Sequence, residues 1–286
     1  MAIDPQKLLN WKFPEIEHAY TDKDTMLYAL GAGCGADPMA EPDDLKFVYE
    51  RNLVALPTMA VVIAYPGFWL GNKETGVNAA KVLHGEQSLT LHKPLPASGT
   101  IIGKGRVTDI LDKGADKGAV MYSERVLYDK ATGDKVATMT QTTMLRGDGG
   151  FGGKSGPQPE PHVLPDTPPE QSVDIKTALN AALIYRLCGD RNPLHADPEI
   201  AAKGGFKAPI LHGLCSYAVA GRAILRACCN NDPARLKSLR LRFSSPVYPG
   251  ETIRTEIWKG KGRASFRARV LERDVVVLNN GLAEFA

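Results

Sequence analysis

The chain repeats itself on either side of a stretch that cannot pack, and this limits its fold more than any other feature. Residues 147–170, G-D-G-G-F-G-G-K-S-G-P-Q-P-E-P-H-V-L-P-D-T-P-P-E, hold six Gly and six Pro in 24 positions. Such a composition builds neither a helix nor a paired strand. Upstream, L-T-L-H-K-P-L-P-A-S-G-T-I from Leu89 to Ile101 overlays L-R-F-S-S-P-V-Y-P-G-E-T-I from Leu241 to Ile253 at a constant offset of 152. Y-A-L-G-A-G from Tyr28 to Gly33 matches Y-R-L-C-G-D from Tyr185 to Asp190 at an offset of 157. The second copy thus carries an acid where the first has Gly33, which assigns binding to the first copy and chemistry to the second.

Each half reads as an irregular segment, a helix and a run of strands. In the second half the helix runs from residue 213 to about 229, with Ala218, Ala220, Gly221 and Ala223 allowing close approach. Strands are expected near 238–245, 251–259, 263–272 and 274–285. In the first half residues 26–30 read as helix, and K-A-T-G-D from Lys130 to Asp134 joins two alternating runs as a hairpin. The order fits an α+β fold in which a bent antiparallel sheet wraps an apolar helix. The boundaries follow: an N-terminal domain over 1–148, a linker over 149–170 and a C-terminal domain over 171–286.

A chain of 286 residues with 43% hydrophobic content supports one large or two ordinary cores, and the usual domain size favours two. A net charge of +3 with dispersed Lys and Arg and only 7% aromatics excludes a nucleic-acid surface. No apolar run reaches the length of a membrane span, and no secretory leader is visible, so a cytosolic protein is expected. The five cysteines form no C-x-x-C pair and read as reduced, buried thiols. Gly153-Lys154-Ser155 lacks the leading Gly of a phosphate loop, since Asp148 stands there, and Gly31, Gly33 and Gly35 follow a helix rather than a strand.

Chemistry is concentrated in residues 185–213. Asp190, Asn192 and His195 fall within six residues, and Pro193 prevents one regular helix through them, so a loop can aim acid and imidazole at one spot. A carboxylate and an imidazole sharing a water suit general acid/base catalysis, with Asn192 orienting the water. Asp197-Pro198 is a helix start, an N-cap followed by Pro at the first position, so Asp197 is structural. His212-Gly213 precedes the apolar helix, whose free N–H groups and dipole suit a developing oxyanion. His212 itself reads as a turn residue. His195 and His212 stand 17 apart with no third soft ligand at customary spacing, so no metal site is expected. The residues alone leave a structural alternative open, with Asp190 capping a turn and His195 satisfied in the core.

The motif Y-x-L-x-G-D-x-N-P-L-H-x-D-P, followed by F-K-x-P-I-L-H-G, resembles that of the MaoC-like hydratase 2 family over nearly the whole chain. These are (3R)-specific 2-enoyl-CoA hydratases that also occur as a domain of peroxisomal multifunctional enzymes. The resemblance implies a double hot dog fold and reversible syn hydration of trans-2-enoyl-CoA to (3R)-3-hydroxyacyl-CoA in fatty acyl-CoA metabolism. It implies no metal or redox cofactor, CoA being part of the substrate. Asp190 and His195 would be the catalytic pair, Asn192 the orienting amide and the Gly213 N–H the oxyanion donor. Substrate contacts would come from His84-Gly85 ahead of the first-copy strand, from Lys113 in the L-D-K-G turn and from Phe243, with Arg191, Pro193 and Leu194 lining the pocket. Residues 59–64 with Phe68 and Trp69 are a candidate lining for the acyl tail, or ordinary core. A homodimer is expected, since a pseudo-dimeric chain often pairs again. Competing readings are a hot-dog acyl-thioesterase, a carrier-protein dehydratase and a non-catalytic acyl-CoA-binding module.

Overall fold

The structure, a computed structural model, describes residues 3–286. In the first half the elements are α1 (Pro5–Leu9), β1 (Ile16–Tyr20), α2 (Asp22–Gly31), α3 (Leu45–Val48), β2 (Val82–Leu91), β3 (Gly99–Asp112), β4 (Ala119–Asp129) and β5 (Lys135–Leu145). The second half has β6 (Gln171–Lys176), α4 (Ala181–Tyr185), α5 (Pro198–Lys203), α6 (Gly213–Cys228), β7 (Leu236–Phe243), β8 (Thr252–Gly260), β9 (Arg263–Val270) and β10 (Val275–Phe285).

These strands form one antiparallel sheet in the order β1-β3-β4-β5-β2-β7-β10-β9-β8-β6. Read inward from each edge, the two halves have the same five-strand order, so the duplication extends to topology. The central register repeats it too. Glu86 opposes Arg242 and Thr90 opposes Ser238, pairs that the 152-residue offset exchanges. The four strands expected in the second half are present within about two residues, whereas the edge strands β1 and β6 were not foreseen.

Strict alternation explains why such segments are strands. In β9, Ala264, Phe266, Ala268 and Val270 are fully buried, while the residues between them turn outward. Residues 215–225 of α6 are buried all round, as befits a helix wrapped by a sheet. The Tyr217 hydroxyl donates to the Leu239 carbonyl of β7 at 2.7 Å.

The first half departs from the expected symmetry. Its helix α2 corresponds to α4, not to α6, and the two pack with the equivalent rings of Tyr28 and Tyr185 5.6 Å apart. In the place of α6 stands a short 3-10 turn, Pro57–Val61. Pro57 and Pro66 bracket too few residues for a helix of sixteen. Nor are there two comparable cores. One core draws from both halves, and a small satellite lies under α1 around Leu8, Leu70 and Met121.

The Gly/Pro-rich segment has no regular structure but is a pinned strap. The Asp112 carboxylate accepts from the Gly150 and Gly152 N–H groups at 2.7 Å each. Further on, His162 bonds Ser265 of β9 and the Trp258 indole of β8 donates to the Thr167 carbonyl, leading the chain to the far edge strand β6.

A buried ion pair ties α6 to the first half. Arg222, 2% exposed, donates to the Ala32 carbonyl at 2.9 Å and to Asp44, itself 3% exposed, at 2.5 Å. Arg226 forks onto Glu41. Asp44→Ala, which leaves Arg222 with the longer 3.6 Å contact to Glu41, should cost about 3–5 kcal/mol in denaturant unfolding, and the apolar pair Asp44→Leu/Arg222→Met should restore most of it. A cost below about 1 kcal/mol would mean that the pair behaves like a solvated one.

Candidate active site

Gly189 opens the site. Its φ of +124° turns the chain sharply after the 3-10 turn Arg186–Cys188 and delivers Asp190. The Asn192 N–H donates to Asp190 Oδ1 at 3.1 Å, and the Leu194 N–H donates to Asn192 Oδ1 at 3.0 Å. These side-chain turns hold Asp190 and His195 on one short loop. The Asn192 carbonyl oxygen also caps the turn Pro193–His195.

The tautomers of the two histidines follow from their partners. His195 Nδ1 lies 2.8 Å from the Ile210 carbonyl, which can only accept, so Nδ1 carries the hydrogen and Nε2 presents a lone pair. His212 Nε2 donates to the Asp190 carbonyl at 3.0 Å. The two rings stack with centroids 3.7 Å apart and planes 28° apart. Polar side-chain atoms of Asp190, His195 and His212 lie within 4.8 Å of one another. His212 is therefore no turn residue. It is 1% exposed and braces both Asp190 and His195.

This clustering overturns the spacing argument against a metal, because the fold carries His212 onto His195. The geometry supplies a different one. Ring nitrogens bind metals in the ring plane at about 2.0–2.1 Å, and two stacked imidazoles cannot both aim in-plane lone pairs at one ion.

Burial lowers the pKa of His195, against the opposing pull of the Ile210 carbonyl and the Asp190 charge. Burial, and then the neighbouring His195, push His212 down to about 4. Both rings are neutral at neutral pH.

The second half of the site comes from the sheet centre. His84-Gly85 lies inside β2 rather than ahead of it, at a bulge where the pairing with β5 skips from His84 to Glu86. The His84 ring sits 4.7 Å from that of Phe243, and burial lowers its pKa to about 4. Gly213 begins α6, and its N–H has no protein acceptor among the described residues. A Cβ at this position would stand 3.3 Å from the Phe243 ring, so the helix start is packed directly on the strand.

Not every expected residue joins. Lys113, on the turn after β3, donates to the Ser155 carbonyl of the strap. Arg191 and Pro193 are exposed and Leu194 is half-buried, so they stand at the rim. For the acyl tail, Met59, Val62 and Ile63 line a cavity of about 120 Å³ with His18, Tyr28 and Gly189. Phe68 is exposed and Trp69 packs on Trp11 and Phe13, away from it.

Arg125 was missed altogether, and His212 was read only as a turn residue. Arg125 donates to the Val61 carbonyl at 2.5 Å, keeps a buried Nη1 without a partner and lies over the Tyr65 ring at 5.3 Å. Burial, and then the Asp190 charge, raise the Tyr65 phenol. The signal for Arg125 was its inward parity in β4 with Met121 and Leu127. For His212 it was the place just ahead of an apolar helix.

Known proteins resemble the chain over nearly its whole length. Residues 162–280 match the MaoC like domain family, and residues 18–147 match the MFE-2 hydratase 2 N-terminal domain. The chain is 42% identical to 3-hydroxyacyl-thioester dehydratase Y of Mycobacterium tuberculosis, over 100% of this chain and 99% of that one. This chain belongs to the MaoC-like hydratase 2 family. It is 37% identical to the peroxisomal enoyl-CoA hydratase 2 of Arabidopsis thaliana, covering 95% of this chain and 92% of that protein. A MaoC-like dehydratase from Phytophthora capsici superposes with a TM-score of 0.86 at 38% identity, covering 98% of each chain. The double hot dog of the MaoC-like dehydratases is thus the architecture described above. Among the described residues no helix is long and apolar enough to cross a membrane.

All six histidines of this hydratase 2 homologue are held below their ordinary value of 6.5, each chiefly by burial. The folded chain therefore binds fewer protons than the unfolded one, and stability present above that value is lost as the pH falls through the depressed values. Calorimetry should show Tm dropping progressively between about pH 6.5 and about pH 4. An unchanged Tm across that window would contradict neutral, buried imidazoles.

Proposed function

We propose that Asp190 and His195 activate the water that this enzyme adds across the double bond of a trans-2-enoyl-CoA. The chain is a hydro-lyase of the enoyl-CoA hydratase 2 type, acting in fatty acid metabolism. One observation carries the assignment of residues. A carboxylate oxygen of Asp190 and a ring nitrogen of His195 lie within 4.8 Å, close in the chain to a helix start whose first N–H has no protein acceptor among the described residues.

Conjugation with the thioester makes Cβ electrophilic. His195 Nε2 and the Asp190 carboxyl hold the water, and as its oxygen bonds to Cβ its proton passes to this pair. Charge moves to the thioester oxygen, where the Gly213 N–H and the positive end of α6 stabilise it by about 3–4 kcal/mol, the worth of one oxyanion donor. The enolate then takes a proton at Cα from the same pair, so both new bonds form on one face, and delivery of the water to a single face of Cβ sets the (3R) alcohol. Thioester conjugation and the oxyanion donor supply the activation, and the proposal calls for no cofactor.

His84 and Phe243 flank the thioester and carry it across the junction of the halves. The cavity bounded by Met59, Val62 and Ile63 receives the start of the acyl chain. A cytosolic setting belongs to the same proposal and is supported by five free thiols, including the adjacent Cys228 and Cys229. So does a twofold homodimer, supported by the exposed Leu179, Leu183 and Leu187, which recur every four residues along α4 and its flanks.

Asp190→Asn and His195→Gln should each lower kcat by about 10²–10⁴ with the circular dichroism spectrum unchanged. The assay is loss of enoyl-thioester absorbance with chiral analysis of the product. Near-normal turnover in either variant removes that residue from the mechanism, and release of free thiol in place of a hydroxyacyl product would favour a thioesterase.

A further inference from the structure

The junction of the halves has two ends, and only one holds the acid/base pair. At the active end, His84 from the start of β2 faces Phe243 from the end of β7. The offset of 152 that exchanges the halves carries His84 to Leu236 and Phe243 to Leu91. Both of these leucines line a cavity of about 690 Å³ at the opposite end, together with Pro57, the first residue of the turn that stands in for α6. This cavity is the pseudo-twofold counterpart of the active site. Its catalytic residues are gone, since Asp190 aligns with Gly33 and the imidazole at 84 with a leucine, yet the space remains.

Evolutionary loss of chemistry does not by itself keep a cavity open, because an empty apolar hollow costs contacts. The lining has a definite character. Its floor is aliphatic, and Lys46, Lys93 and Lys237 stand around it. The lone acid in the lining, Asp232, is occupied in capping the Ala234 N–H at 3.0 Å. Lys93 pairs with Asp134, while among the described residues Lys237 reaches only the Ala234 carbonyl and Lys46 is half-buried over the Phe47 ring. An aliphatic floor under a cationic rim suits a ligand with an acyl chain and an anionic head, and the volume is that of ordinary ligand sites.

We propose that this cavity is a second, non-catalytic binding site for acyl-CoA thioesters, with the acyl-pantetheine arm against Leu91 and Leu236 and the phosphates among the lysines. The choice of ligand rests on the hydratase reading of the active site. Location and stoichiometry do not.

Calorimetric titration with octanoyl-CoA, a saturated thioester that cannot be hydrated, tests it on the full chain. The expected result is two molecules per chain for the wild type and one for Ala234→Trp, which blocks the mouth from an exposed position. Lys46→Glu/Lys237→Glu should weaken the second site at least about tenfold, with the loss growing at low salt. Both variants should keep kcat/KM for enoyl-CoA hydration at low substrate within about twofold of wild type. Free CoA and octanoate serve as separate arms, each expected to bind the second site at least about tenfold more weakly than the thioester. One molecule per chain in the wild type overturns the proposal, as do two sites untouched by these substitutions. Octanoate binding as tightly as its thioester overturns the assigned ligand. Hydration is read in the same samples, so an active enzyme with one site sinks only the second site, whereas a chain that neither hydrates nor binds acyl-CoA sinks the hydratase reading as well.

Discussion

Pairing of β2 with β7 is the constraint on which the rest of the molecule depends. Five residue pairs from Glu86–Arg242 to Thr90–Ser238 join two five-stranded sheets into one and remove the β2 and β7 edges that they would otherwise expose. Because the pairing is twofold, each strand places its start beside the other's end. That is how His84 of the first half meets Phe243 of the second against Gly213, although 159 residues separate His84 and Phe243 in the chain. Neither half contains a complete site.

The same symmetry explains the unequal fate of the copies. One half keeps a long buried helix, α6, which starts at Gly213 directly against the Phe243 ring. The other keeps only the turn at Pro57–Val61, which packs against α6 and leaves Met59, Val62 and Ile63 free to line a cavity next to Gly189. Arg222 and Arg226 compensate by anchoring α6 to Asp44 and Glu41 across the missing helix. Chemistry was kept at one end of the junction, and room was kept at both.

Much of this was legible from residues. Alternation such as that of β9, the all-apolar run of α6 and the offset between copies are local patterns, so the strands, the helix and the duplication could be read directly. Asp190, Asn192 and His195 stood out because they share one short loop. What sequence concealed was long-range. His212 looked like a turn residue because nothing in P-I-L-H-G tells that its ring will stack on one 17 positions earlier. Nor does residue type tell that the Asn192 side chain also caps a turn. The symmetric helix expected in the first half failed because two prolines leave no room for it, and the two-core picture failed because the join between β2 and β7 merges them.

The central claim is that a single water lies between Asp190 and His195, so the two residues act as one unit. A double-mutant comparison tests it most directly: kcat for hydration in Asp190→Asn, His195→Gln and the doubly substituted enzyme. Residues acting on one water predict a double variant no slower than the worse single one, within about threefold. Losses that multiply would contradict the shared water and place the two groups in separate steps.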